Sequence, residues 1–152
     1  MSVLVAGVGN VFRRDDGFGV EVAQRLTGEA LPAGTKVVDF GIRGLHLAFE
    51  LLDGYRTVVL VDALARGGPP GTLYVLEPDP PAEPPPVDGH DLTPEAVLAL
   101  ARELGAAPGR VLVVGCEPAD LSDGMGLSAP VAAAVDAAVR TVRQMLAETG
   151  GV

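Results

Sequence analysis

Two carboxylates and one imidazole stand out in this 152-residue chain. Asp16 follows a second acid, Asp15, shortly after the glycine-broken stretch Gly7-Val8-Gly9-Asn10. Asp62 ends the apolar run Val58-Val59-Leu60-Val61, and His90 lies in Asp88-Gly89-His90-Asp91, where glycine lets the backbone turn. Brought together, Asp16, Asp62 and His90 offer O, O and N donors with coordination positions left open. That set suits a borderline divalent metal such as zinc, nickel or iron.

Each residue also has a plainer reading. Asp15 and Asp16 can cap the helix that follows and interact with its macrodipole, worth ~1 kcal/mol each, which accounts for one acid better than for a pair. Asp62 is a poor helix cap, because Ala63-Leu64-Ala65-Arg66 is too short a run before Gly67. The other histidine, His46, falls off the Leu45, Phe49, Leu52 stripe, near Glu50 and Asp53, and reads as a solvated surface residue. Cys116 is either a nucleophile with His90 as its base or a small buried residue closing a strand.

Gly7-Val8-Gly9-Asn10 before a helix also partly matches a dinucleotide fingerprint, with Asp39 placed as a ribose-binding acid. Phe12 occupies the third glycine position, and two acids at the helix start would repel a pyrophosphate. No G-x-S-x-G elbow, Walker loop, H-E-x-x-H helix or kinase motif is present.

The elements that must position these groups follow from periodicity. Val3 to Val8 reads as a strand buried on both faces, and residues 17–26 as a helix with Val20, Ala23 and Leu26 inward. Residues 35–40 form a second strand, followed by a helix whose apolar positions Leu45, Ala48, Phe49 and Leu52 recur at i, i+3, i+4 and i+7. Residues 56–62 form a third, central strand. Residues 72–76 form a short edge strand, expected to be antiparallel. In 78–86 six of nine residues are proline, which reads as an extended surface loop. Thr93-Pro94-Glu95 starts a helix that Gly105 closes, 110–115 is a fifth strand, and Ser128 caps a last helix carrying Val131, Val135, Val139 and Val142.

Alternating strands and helices give an α/β fold: one domain over 1–152, a three-layer sandwich with a mostly parallel, twisted five-stranded sheet flanked by helices. Ligands in such sheets gather beyond the carboxyl ends of the strands. That edge carries Asn10 to Asp16, Asp39, Asp62 and Cys116-Glu117, and His90 joins it if the proline-rich loop returns there.

Apolar residues are 48% of the chain and charged ones 20%, a globular composition. A net charge of -9 makes nucleic acid and anionic membrane surfaces poor partners. A single cysteine excludes an internal disulfide, and the N-terminal residues lack a basic, apolar leader pattern. Both point to the cytoplasm.

Taken in order, the motifs Gly7-Val8-Gly9-Asn10, Asp15-Asp16-Gly17-x-Gly19-Val20, Asp39-x-Gly41-x-x-Gly44-Leu45, Val61-Asp62-Ala63 and Gly89-His90-Asp91-Leu92 resemble the hydrogenase maturation proteases. Gly115-x-Glu117-Pro118 and Leu127-Ser128 extend the resemblance. It implies an endopeptidase that removes the C-terminal extension from the large-subunit precursor of a nickel-iron hydrogenase after nickel insertion. By motif, Asp16, Asp62 and His90 would approach the nickel, which the substrate carries; another divalent metal can stand in for it in the isolated protein. The metal would polarise the carbonyl or activate water, with Asp16 as general base. Asp16 stands where the family commonly has glutamate, one C–C bond or ~1.5 Å longer. Ile42-Arg43 follows Gly41 where Gly-Thr is usual. The alternative to cleavage is a nickel-dependent checkpoint protein that docks on the immature subunit without cutting it.

Overall fold

The computed structural model describes residues 2–78 and 93–150. His90, and the expected proline-rich loop beyond Pro78, lie outside the described residues. In chain order the elements are β1 (Val3–Val8), a 3₁₀ turn (Arg14–Gly17), α1 (Phe18–Thr27), β2 (Thr35–Gly41), α2 (Gly44–Glu50) with a 3₁₀ turn (Leu51–Asp53), β3 (Thr57–Ala63), β4 (Leu73–Leu76), α3 (Pro94–Glu103), β5 (Arg110–Cys116) and α4 (Ala129–Gly150).

The sheet order is β2-β1-β3-β5-β4, so β3 is central. β1, β2, β3 and β5 run parallel, and β4 pairs antiparallel with β5 at the edge, as its short alternating sequence leads one to expect. Side chains alternate along each strand, which splits the core in two. Val5, Val59, Val61 and Val114 pack under α1 and α4, while Leu4, Ala6, Val58, Leu60 and Val113 pack under α2 and α3. Asp62 continues the Val58, Leu60 series and so falls on the α2 and α3 side.

The cap of α3 follows the sequence: the Thr93 hydroxyl accepts the Ala96 N–H at 3.2 Å, with Pro94 in the first turn. The face of α2 does not. Leu47, Ala48 and Leu51 are buried, whereas Leu45, Phe49 and Leu52 are 47%, 50% and 43% exposed. The helix carries two apolar stripes, and Leu47 with Leu51 reaches the sheet.

The amino end of α1 sits tightly on the strand ends. A Cβ on Gly19 would lie 2.0 Å from the Val61 carbonyl oxygen, so only glycine allows this approach. Gly7, a glycine of the partial dinucleotide fingerprint, is packed the same way from the other side: a Cβ there would lie 2.3 Å from the Gly19 carbonyl oxygen.

Candidate active site

The carboxyl edge of β1 and β3 opens into a cavity of about 230 Å³. It is lined by the β1 loop through Gly9, Asn10, Arg13 and Asp16, by Asp62 to Leu64 at the end of β3, by Leu47 of α2, and by Thr93, Pro94 and Glu95 at the start of α3. Asp16 and Asp62, expected from the sequence to share a crevice, share this one.

Gly9 holds them together. It has φ +133°, and a Cβ there would lie 1.8 Å from the Asp16 carbonyl oxygen and 3.6 Å from Asp62 Oδ1. The loop thus folds back on itself, and the Asn10 N–H donates to Asp16 Oδ2 at 2.8 Å. This bond fixes the short Asp16 side chain by one oxygen and leaves lone pairs for a ligand. It also occupies a loop N–H that a pyrophosphate would need, which argues against the dinucleotide reading.

Asp62 is set apart electrostatically. Burial above all, and next the charge of Asp16, push its carboxyl well above the ordinary range; the Ala63 N–H pulls it down, and Glu95 adds to the upward push. Glu95 is a half-buried acid that the sequence presented only as a first-turn helix residue, and Arg13 is the one basic side chain among the described lining residues. The signal available for Glu95 was its place five residues beyond His90.

Asp15 does something else. It is fully buried and accepts the N–H groups of Ala119 and Asp120 at 2.8 Å each on Oδ2, the Ser128 N–H at 2.7 Å on Oδ1, and the Ser128 hydroxyl at 2.8 Å. Burial opposes ionisation, yet the backbone donors of Ser128, Asp120 and Ala119 prevail and hold the carboxyl below its usual value. Neither acid makes a side-chain cap on the 3₁₀ turn or α1, so the capping interpretation is replaced by a loop-to-loop clamp.

Cys116 and Glu117 reach the edge without lining the cavity. Cys116 is buried, and burial first of all pushes its thiol up to about 11, which leaves it protonated and unreactive near neutrality. Glu117 Oε1 accepts from the Tyr74 hydroxyl at 2.7 Å and from the N–H groups of Arg66 and Gly68 at 2.8 and 3.0 Å, tying down the turn before β4. His46 is exposed. Among the described residues no three His, Cys, Asp or Glu side chains are arranged to hold a metal ion, and His90, the expected nitrogen donor, is not among them. No described helix is long and apolar enough to cross a membrane.

This architecture and sequence match known proteins. A family model described as hydrogenase maturation protease matches residues 20–145, a span that contains Asp62 and His90. The chain is 36% identical over 154 residues to the hydrogenase expression/formation protein HupD of Rhodobacter capsulatus, covering 95% of this chain and 71% of that protein. Among solved structures it is similar to the hydrogenase maturating endopeptidase HybD from E. coli, with TM-score 0.79, 28% identity and coverage of 99% and 94% of the two chains. The hydrogenase 2 maturation peptidase from Thaumarchaeota archaeon SCGC_AB-539-E09 gives TM-score 0.72 at 35% identity, covering 96% and 98%.

Proposed function

The chain belongs to the hydrogenase maturation protease family and is a hydrolase of hydrogenase maturation; on that premise we propose that it cuts the C-terminal extension from the large-subunit precursor of a nickel-iron hydrogenase. The cut is conditional on nickel already held by the precursor, which is read by Asp16, Asp62 and His90. The observation that carries this reading is that Asp16, in the turn after β1, and Asp62, near the end of β3, line one cavity.

Two further features support it. Like charges in a desolvated crevice repel each other, and a divalent cation arriving with the substrate relieves that repulsion. Thr93 and Pro94 line the same cavity, and three Cα–Cα steps, at most ~11 Å, separate Thr93 from His90.

In the proposed reaction, water attacks the carbonyl carbon at the scissile bond, Asp16 takes the water proton, the C–N bond breaks and the departing nitrogen receives a proton. The precursor's nickel polarises the carbonyl or the attacking water. Incubation with nickel-loaded and nickel-free precursor, followed by intact-mass measurement, tests the proposal. Loss of the extension only from the loaded form is expected, and an unchanged mass for the loaded form would refute proteolysis in favour of a non-cutting checkpoint.

A further inference from the structure

A second, more open groove of about 330 Å³ adjoins the carboxylate cavity, and Gly9, Asn10, Gly41 and Ile42 line both. Phe12 and Ile42 line this groove and are 63% and 64% exposed; Val20 and Phe40, also lining it, are buried. Single exposed apolar residues are ordinary. These two sit on anchored backbone beside a reaction cavity, which is not. The Phe12 N–H donates to Asn10 Oδ1 at 2.9 Å, and its carbonyl accepts the Gly124 N–H at 2.9 Å. The Ile42 carbonyl accepts the Gly44 N–H at 3.0 Å.

Several polar atoms around the groove already have partners within the protein. The Arg43 guanidinium donates to the carbonyls of Phe40 and Asp39 at 2.9 and 2.6 Å, and the Gln24 amide donates to Asp39 Oδ2 at 3.4 Å. The groove thus presents carbon on a preorganised frame, which favours an apolar ligand group. Asn10 links the two sites: its N–H holds the Asp16 carboxylate while its side-chain oxygen holds Phe12.

We infer that this groove is the subsite for an apolar side chain of the precursor adjacent to the scissile bond, gripped between Phe12 and Ile42. The inference rests on the reading that the neighbouring cavity cuts a peptide. Side chains of an extended peptide alternate in direction, so a residue next to the bond held in the cavity can drop into the adjoining groove across the shared wall.

Steady-state processing of nickel-loaded precursor by Phe12→Ser, Ile42→Ser and the double variant tests it, with Val75→Ser on the opposite edge of the sheet as control. Each groove variant is expected to raise KM about tenfold with kcat within about twofold of wild type and thermal stability unmoved, while Val75→Ser changes neither constant. An unchanged KM in the double variant overturns the assignment, as does a fall in kcat alone. A concentration-dependent dimer lost in the double variant with KM unmoved gives the groove to a second copy and also overturns it. If wild type leaves the precursor uncut, the cavity reading fails separately, and precursor titration decides the groove: about tenfold weaker binding by the double variant supports it, and equal binding overturns it.

Discussion

Asp15 Oδ1 accepts the backbone N–H of Ser128 at 2.7 Å and Oδ2 accepts the Ser128 hydroxyl at 2.8 Å, across a sequence separation of 113 residues. Its neighbour Asp16 bonds within its own loop, to Asn10, and faces the cavity. Two adjacent acids thus divide into one that holds the loops at the sheet edge and one that lines the space they enclose.

Replacing Asp15 by Asn turns one of its two acceptor oxygens into an NH2 donor that faces donors of Ser128 or of Ala119 and Asp120, and is expected to cost about 3 kcal/mol near neutrality. Because the folded carboxyl titrates below its unfolded value of about 3.9, the stability it contributes is complete above that pH and declines as pH falls through the folded value. Urea unfolding from pH 7 to pH 2 should show the gap between wild type and Asp15→Asn narrowing below about pH 4. A gap independent of pH would assign the effect to shape and not to charge.

Asp62 has the opposite sign. Its folded carboxyl titrates above its unfolded value, so its contribution is at its most favourable below about pH 4 and is lost as pH rises through the folded value. The metal-free Asp62→Asn variant should therefore melt above wild type at pH 7 to 8, with the difference vanishing toward pH 4. Calorimetry over that range checks it, and a variant less stable than wild type at pH 8 would contradict the assigned desolvation.

The two stripes of α2 separate by truncation. Leu47→Ala opens the core and should cost about 2–5 kcal/mol, whereas Leu45→Ala at a half-exposed site should stay within about 0.5 kcal/mol. Similar losses at both would restore the inward face suggested by periodicity.

Gly9→Ala places a methyl 1.8 Å from the Asp16 carbonyl in a backbone conformation that disfavours L side chains. The loop must move, and with it Asp16. Stability should fall by about 1–3 kcal/mol and the processing rate by more than about tenfold. A variant of normal rate would show that the Asp16 position is not critical.

Much of this was legible in the sequence, for identifiable reasons. Val58 to Val61 reads as a strand buried on both faces, and an acid directly after such a strand stands at the sheet edge, so Asp62 was found by position. The Thr93-Pro94 start of α3 follows from capping chemistry alone. The face of α2 was not legible, because Leu45, Phe49 and Leu52 form as regular a stripe as Leu47 and Leu51 do, and only the packing distinguishes them. Nor was the division between Asp15 and Asp16, since the Ser128 partner is distant in sequence and adjacent residues of a 3₁₀ turn point in different directions. Glu95 was recognised as a first-turn acid, and its place in the cavity comes from tertiary packing.

The central claim is that Asp62 belongs to the group that reads the substrate's nickel. The most direct test is the processing rate of nickel-loaded precursor by Asp62→Ala, followed by intact mass, with circular dichroism confirming the fold. A folded variant that leaves the precursor uncut is expected, under conditions where wild type removes the extension completely. Processing at the wild-type rate would contradict it.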